Sequence, residues 1–152
     1  MNRYLPMLFP VLLAIVACSS GSRGASPTPS PADVSASAAS VANGRAIFLT
    51  GRDSSGQRIH AQPRAMRPNC AACHRPNGSG GVSLPGGAVS ADLRYGALVR
   101  GQRHPYTLGL LEWAISSGID NDGQRLDPIM PHWKMSKRDL HDVAYYVLTR
   151  LR

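Results

Sequence analysis

Residues 70–74 read CAACH, and the rest of the chain has to be interpreted around this short stretch. Two thiols lie three positions apart, and a histidine directly follows the second. The chain has 152 residues and three cysteines, so the motif uses two of its three thiols. Redox dithiols, structural zinc sites and covalent haem attachment all use a C-x-x-C spacing.

The flanking sequence favours haem attachment over the other two kinds of site. A redox pair of the thioredoxin type needs a βαβ context, whereas proline and glycine surround this motif, in RAMRPN before it and RPNGSGG after it. A structural zinc site needs a second ligand pair, and the chain has no second C-x-x-C and no H-x-x-x-H. In c-type attachment Cys70 and Cys73 add to the two vinyl groups of one haem, and His74 faces the iron.

The surrounding sequence resembles a class I (mono-haem) cytochrome c over residues 41–152. Members of that family begin with a helix that carries a glycine and, four residues later, an aromatic, as Gly44 and Phe48 do here. They end with an amphipathic helix that has an aromatic in its middle, which Tyr146 matches. The resemblance implies an all-α cytochrome c fold with crossing N- and C-terminal helices, long loops and haem as part of the core.

Two helices are predicted in the second half of the chain. Ser136 matches an N-cap with Asp139 three residues later, and an apolar stripe at helical spacing follows. A further helix is predicted from Thr107 to Ser117, ending at Gly118. In the family this helix lines one side of the haem, so the resemblance implies that Trp113 belongs to the haem environment.

The family resemblance also implies the second axial ligand of the iron. The family uses a methionine in a loop before the last helix, often followed by proline, and Met130 matches this pattern. Met135 and His132 are the alternatives. In the family the proximal histidine donates its other N–H to a carbonyl, often that of a proline about a dozen residues downstream, which implies Pro85 as the acceptor for His74. A methionine thioether favours Fe(II) relative to an imidazole, as suits an electron carrier.

The N-terminus predicts export. Its apolar run is shorter than the about 20 residues that a membrane span needs, which favours a signal peptide over residues 1–17. The run ends in IVAC at residues 15–18, which resembles a bacterial lipobox and implies lipid attachment at Cys18. Ordinary cleavage and an uncleaved anchor are the alternatives.

The next segment predicts a tether. Residues 18–40 consist mainly of Ser, Ala, Pro and Gly, a composition typical of a flexible linker, so the domain from residue 41 would be held near a membrane by a lipid. The resemblance places the protein on the periplasmic side of a bacterial membrane. By the sorting rule of lipoproteins, Ser19 after the cysteine implies the outer membrane.

The formal net charge is +8, and the arginines are scattered without a dense basic run. Nucleic-acid binding is therefore not expected. The charge suits acidic redox partner proteins or an anionic lipid surface, with a general arginine bias as the alternative. The family has only a few residues between Phe48 and the motif, whereas this chain inserts residues 49–69, which contain four arginines. The insert leads into Cys70, so it is expected near the exposed haem edge. Its arginines would there steer an acidic partner, with solvated loop charge as the alternative.

These features together predict a single-electron carrier with one covalent haem c and His/Met ligation, in a periplasmic electron-transport chain. The alternative is a haem-bearing electron-transfer subunit of a dehydrogenase or terminal oxidase. An enzyme is not expected, because haem peroxidases of this kind carry two C-x-x-C-H motifs and this chain has one.

Overall fold

The computed structural model describes residues 31–152, including the side chains of residue 38 and of residues 40–152. This range is mostly helical, which confirms the predicted all-α architecture, and it adds a small sheet that no sequence pattern predicted. Its elements are α1 (Pro31–Thr50), β1 (His60–Gln62), α2 (Ala71–His74), a 3-10 turn (Pro85–Gly87), a π-helical turn (Gly96–Arg100), α3 (Leu108–Ser117), β2 (His132–Lys134) and α4 (Lys137–Arg150).

Helices α1 and α4 cross in direct contact, as the resemblance implies. A Cβ on Gly44 would lie 2.0 Å from the carbonyl oxygen of Asp142 and 2.8 Å from the Cβ of Tyr146, so only glycine permits this approach. One turn along α1, the ring of Phe48 packs on that of Tyr146 with centroids 5.7 Å apart. Phe48 is completely buried, and the crossing forms the centre of the core.

A buried polar network fixes the register of this crossing. Asn43 is 2 % exposed and donates through Nδ2 to Oδ1 of Asp139 at 2.9 Å and to Oδ2 of Asp142 at 2.8 Å. Its Oδ1 accepts from the backbone N–H of Ser54 at 2.7 Å, and the hydroxyl of Ser40 donates to Asp142. Sliding one helix along the other would leave these buried groups without partners, which is costly.

Helix α1 begins ten residues before the predicted domain start at residue 41. The linker predicted as flexible over residues 18–40 is therefore helical from Pro31 onward. Four of residues 31–40 are alanine, the best helix former, and extending a helix already anchored on α4 costs little. The predicted signal peptide, Cys18 and the first part of the linker lie outside the described residues. Between residues 31 and 152, no helix is long and apolar enough to cross a membrane.

Both helices predicted in the second half are confirmed. The Oγ of Ser136 accepts from the backbone N–H of Asp139 at 3.1 Å and donates to its carboxylate at 2.6 Å, which caps α4. Helix α3 is capped by Thr107 and ends at Gly118, whose φ of 67° is in the left-handed region. The apolar stripe of α4 faces the core, where Val143, Ala144, Val147 and Leu151 are buried.

The insert between α1 and α2 folds back onto the chain. Strand β1 pairs antiparallel with β2, with Ala61 opposite Trp133. At the base of the insert, a Cβ on Gly51 would lie 2.2 Å from the carbonyl oxygen of Pro68, so its two ends are in contact. As a result, the sheet joins the segment that leads into α2 to the segment that follows Met130.

Candidate functional site

Helix α2 is a single turn with Cys70 as its N-cap and Cys73 as its third residue, so both thiols of the CAACH motif lie at this turn. The backbone N–H groups of Cys73 and His74 donate to the carbonyl oxygen of Cys70, at 3.1 and 2.8 Å. This helical spacing places the two half-buried cysteines on the same side of the turn. The side chain of Asn69 supports the turn by accepting from the N–H of Ala72 at 2.8 Å. Both cysteines are free thiols, so both are available for covalent attachment.

The protonation state of Cys70 argues against a redox dithiol. Burial raises the pKa of its thiol to about 12, so the group is a neutral S–H at neutral pH. Reactive C-x-x-C pairs instead depend on a thiol with a lowered pKa. Within residues 31–152, no group of three or more His, Cys, Asp or Glu side chains converges to hold a metal ion.

His74 is held as a neutral imidazole with a defined tautomer. Its side chain is 8 % exposed, and its Nδ1 lies 2.9 Å from the carbonyl oxygen of Ala91. Because a carbonyl only accepts, Nδ1 carries the proton. Burial lowers the pKa of His74, and the hydrogen bond to Ala91 opposes this to a smaller extent. The lone pair of Nε2 is therefore available to a metal at neutral pH.

The carbonyl that accepts from His74 is not the predicted one. The sequence implies Pro85 for this role, and the structure corrects it to Ala91. The chain from Ser83 to Val89 forms a short hairpin whose tip carries Pro85 outward, where it is exposed. The hairpin lengthens the path by several residues, so the chain returns to α2 only at Ser90 and Ala91.

Two residues hold Ala91 in place. No sequence pattern indicated Ser90, and Gly80 was indicated only as a loop glycine that permits close approach. The hydroxyl of Ser90 donates to the carbonyl oxygen of Cys73 at 2.8 Å, which fixes the returning chain to α2. Gly80 lies against the same chain, because a Cβ there would be 2.2 Å from the carbonyl oxygen of Ala91. The acceptor is a backbone atom of an alanine, so no side-chain pattern could have identified it.

Met130 emerges from a tight turn on the chain that leads into β2. Its backbone N–H donates to the carbonyl oxygen of Asp127 at 2.9 Å, and the carboxylate of Asp127 accepts from the N–H of Ile129 at 2.9 Å. Pro128 suits the second position of such a turn, and Pro131 restricts Met130 to extended geometry. Met130 is also half-buried and packs against the core. Its position therefore depends both on this packing and on the hydrogen bonds of the turn.

The alternative ligands are placed differently. The ring of His132 packs over the end of α3, where a Cβ on Gly118 would lie 2.4 Å from its Nε2. Met135 is half-buried against the core, directly before the N-cap of α4. Trp113 is 48 % exposed on α3 and is not among the buried residues of that helix. Its role in the haem environment stays a prediction.

A sequence profile of the cytochrome c family matches residues 41–150. The chain belongs to the cytochrome c family. The corresponding searches of curated proteins and of solved structures found no match. A cytochrome c domain implies covalently attached haem c and haem-based electron transfer, and the family consists of electron carriers.

The geometry of this cytochrome c fits haem c. Cys70 and Cys73 are free thiols on one helical turn, and the buried His74 directly behind them presents an unprotonated Nε2. The carbonyl of Ala91 is the hydrogen-bond partner that an iron-ligating imidazole normally has. The chain thus presents two free thiols and one imidazole nitrogen whose orientation is fixed by a hydrogen bond on the other side of the ring.

Proposed function

We propose that this cytochrome c carries a single haem c and acts as a single-electron carrier. In this proposal Cys70 and Cys73 attach the haem, and His74 and Met130 are its axial ligands. The observation that carries the proposal is the neutral, buried His74, whose Nδ1–H is committed to Ala91 while two free thiols precede it on the same turn. When bound, the haem supplies reversible one-electron chemistry between Fe(II) and Fe(III).

The contribution of the chain is to hold both ligands still. The hydrogen bond to Ala91 prevents rotation of the His74 ring and makes the imidazole a stronger donor. On the other side, the Asp127 turn and Pro131 restrict the backbone of Met130. A thioether is soft and a poor proton acceptor, which favours the reduced state. Two restrained ligands keep the coordination the same in both oxidation states, so little has to rearrange during electron transfer.

The location of the carrier is part of the proposal. Export by the signal peptide over residues 1–17, lipid attachment at Cys18 and a position on the periplasmic side of the outer membrane are supported by the lipobox resemblance and by Ser19. The partners are redox proteins in a periplasmic electron-transport chain. A net charge of +8 favours acidic ones.

Spectroscopy and potentiometry on the holoprotein test the carrier proposal. The expected result is one haem per chain, a low-spin six-coordinate spectrum in both oxidation states and a titration that follows a one-electron Nernst curve. Two haems per chain, or an open sixth site with peroxide turnover, would contradict it. A haem-bearing subunit of a larger oxidoreductase would instead copurify with stoichiometric partners that stay bound at high salt.

A further inference from the structure

The insert that interrupts the family pattern builds a cleft of about 610 Å³ between itself and β2. The cleft is open to solvent. Ile59 and Trp133, which are 7 % and 6 % exposed, are the most buried apolar residues of its lining, and Met66 is 59 % exposed. Arg58, Arg64 and Arg67 also line it, and all three are exposed.

The arginines of the cleft are available to an incoming anion. Among the residues that the structure describes, no carboxylate lies within salt-bridge distance of Arg58, Arg64 or Arg67, and the cleft lining contains no acidic residue. The one carboxylate of the insert, Asp53, is occupied within its own turn, where Oδ1 accepts from Ser55 at 2.9 Å and from the N–H of Gln57 at 2.8 Å. The cleft is therefore electropositive.

The cleft is held in shape before any partner binds. The contact of Gly51 with the carbonyl of Pro68 closes the insert at its base, and the N–H of Ile59 donates to the carbonyl oxygen of Gly51 at 2.9 Å. The pairing of Ala61 with Trp133 holds the insert against β2. A preformed cleft lowers the conformational entropy that binding has to overcome.

The lining of the cleft comes from chain segments that adjoin, in sequence, the two segments that the proposed function assigns to the haem. Its lining extends to Pro68, two residues before Cys70, and includes Trp133, three residues after Met130. A partner seated in it is therefore close along the chain to both an attachment point and an axial ligand.

We propose that this cleft is the docking site for a segment of the redox partner that combines carboxylates with an apolar side chain. The carboxylates pair with Arg64 and Arg67, and the apolar side chain packs on Met66 and Trp133. The redox character of the partner rests on the proposed function, whereas the chemistry of the segment follows from the cleft alone. Charge complementarity steers the encounter, and apolar contact adds residence time.

Peptide titration of the reduced, 15N-labelled holoprotein by NMR tests the docking chemistry. The probes are a peptide of alternating glutamate and leucine, an all-glutamate peptide and a peptide of alternating lysine and leucine. We expect the first to shift the resonances of Ile59, Met66 and the Trp133 indole and to bind tighter than the second, with no saturable binding of the third. Shifts confined to other surfaces would overturn the proposal.

Matched charge variants separate the cleft from the overall charge. The double variant Arg64→Gln, Arg67→Gln should bind the glutamate–leucine peptide about fivefold more weakly, the loss expected from two exposed ion pairs. The control Arg103→Gln, Arg150→Gln removes the same charge at exposed positions outside the cleft and should bind almost as tightly as the unaltered protein. Equal weakening in the two variants would reduce the effect to net charge and refute the docking site.

Electron-transfer rates test whether the cleft is at the electron exit. Arg64→Gln, Arg67→Gln should slow oxidation by anionic ferricyanide more than the control variant does, and it should speed oxidation by cationic tris(phenanthroline)cobalt(III). Peptide binding in the cleft without any effect on these rates would reject a role in redox docking. Failure of the carrier proposal is a separate result, because it would appear as a non-Nernstian titration while the peptide still binds.

Discussion

A Cβ on Gly80 would lie 2.2 Å from the carbonyl oxygen of Ala91, the atom that accepts the Nδ1–H of His74. The absence of a side chain at Gly80 thus permits the hydrogen bond that orients His74, the proposed proximal ligand. Gly80 affects the orientation of the His74 ring through the carbonyl of Ala91. Replacement of Gly80 is therefore expected to change the reduction potential of the proposed haem iron.

Gly80→Ala should displace the Ala91 carbonyl and weaken its bond to His74. A less strongly polarised imidazole stabilises Fe(III) less, so the reduction potential should rise. Overpacking should also lower the free energy of unfolding by about 1–3 kcal/mol. Redox titration and thermal melting of the holoprotein measure the two effects.

Gly87→Ala is the control for this change. Gly87 has a φ of +83°, so alanine there suffers left-handed backbone strain as it does at position 80, yet its Cβ would meet nothing within 4 Å. We expect some loss of stability and an unchanged potential. A potential that moves equally in both variants would show that backbone strain, and not the His74–Ala91 bond, is responsible.

Haem attachment is predicted to depend on both motif thiols. Cys70→Ala or Cys73→Ala removes one of the two covalent bonds, and the double variant should show no haem stain on a denaturing gel. His74→Ala keeps the thiols and should lose the proximal ligand, which alters the spectrum. Normal staining of the double cysteine variant would refute the assignment of the whole site.

The helical frame was predictable because its signals are local. Ser136 and Asp139 form a capping box within four residues, and Gly44 and Phe48 share one face of α1 at a spacing visible in the sequence. The helix from Thr107 to Gly118 carries its own start and stop residues. In each case the residues that determine the structure are the residues that display the pattern.

The features that the sequence did not predict depend on contacts between segments that are distant along the chain. The pairing of Ala61 with Trp133 spans most of the domain, and three-residue strands carry too short an alternation to be recognised. The acceptor for His74 depends on how far a hairpin carries Pro85 outward before the chain returns at Ala91. A composition rich in small residues predicted a linker up to residue 40, but alanine also favours a helix once α4 anchors it.

The crossing of α1 and α4 predicts opposite effects for two Gly→Ala changes. Gly44→Ala would place a methyl group 2.0 Å from the carbonyl oxygen of Asp142 and should lower the free energy of unfolding by about 1–3 kcal/mol or more. Gly109 lies in α3 with nothing within 4 Å of its Cβ position, so Gly109→Ala should be neutral or stabilising by up to about 1 kcal/mol. Denaturant unfolding of the holoprotein measures both, and equal destabilisation would contradict the close crossing.

Cys18→Ser tests the tether, which lies outside the described residues. The variant should leave the membrane fraction or stall in processing, because the lipid has no attachment point. Haem staining should be unaffected, since the haem thiols are separate from this cysteine. A variant that stays in the membrane fraction with unchanged gel mobility would show that the apolar run is an anchor and that the lipobox assignment is wrong.

The distal ligand is predicted to be Met130, and paired methionine variants test this. Met130→Ala should remove the methionine-to-iron charge-transfer band of the oxidised protein and lower the reduction potential, because the soft thioether that favours Fe(II) is gone. The emptied position should bind added imidazole. The turn closed by Asp127 and the extended geometry imposed by Pro131 restrain the backbone of Met130.

Met135→Ala is the matched control, because Met135 is also half-buried against the core but directly precedes the cap of α4. It should cost stability through lost packing and leave the band and the potential nearly unchanged. The reverse outcome, with the band lost only in Met135→Ala, would transfer the ligand role to that residue. If the unaltered protein shows no such band, the sixth ligand is not a methionine, and the carrier proposal loses the soft ligand on which its potential depends.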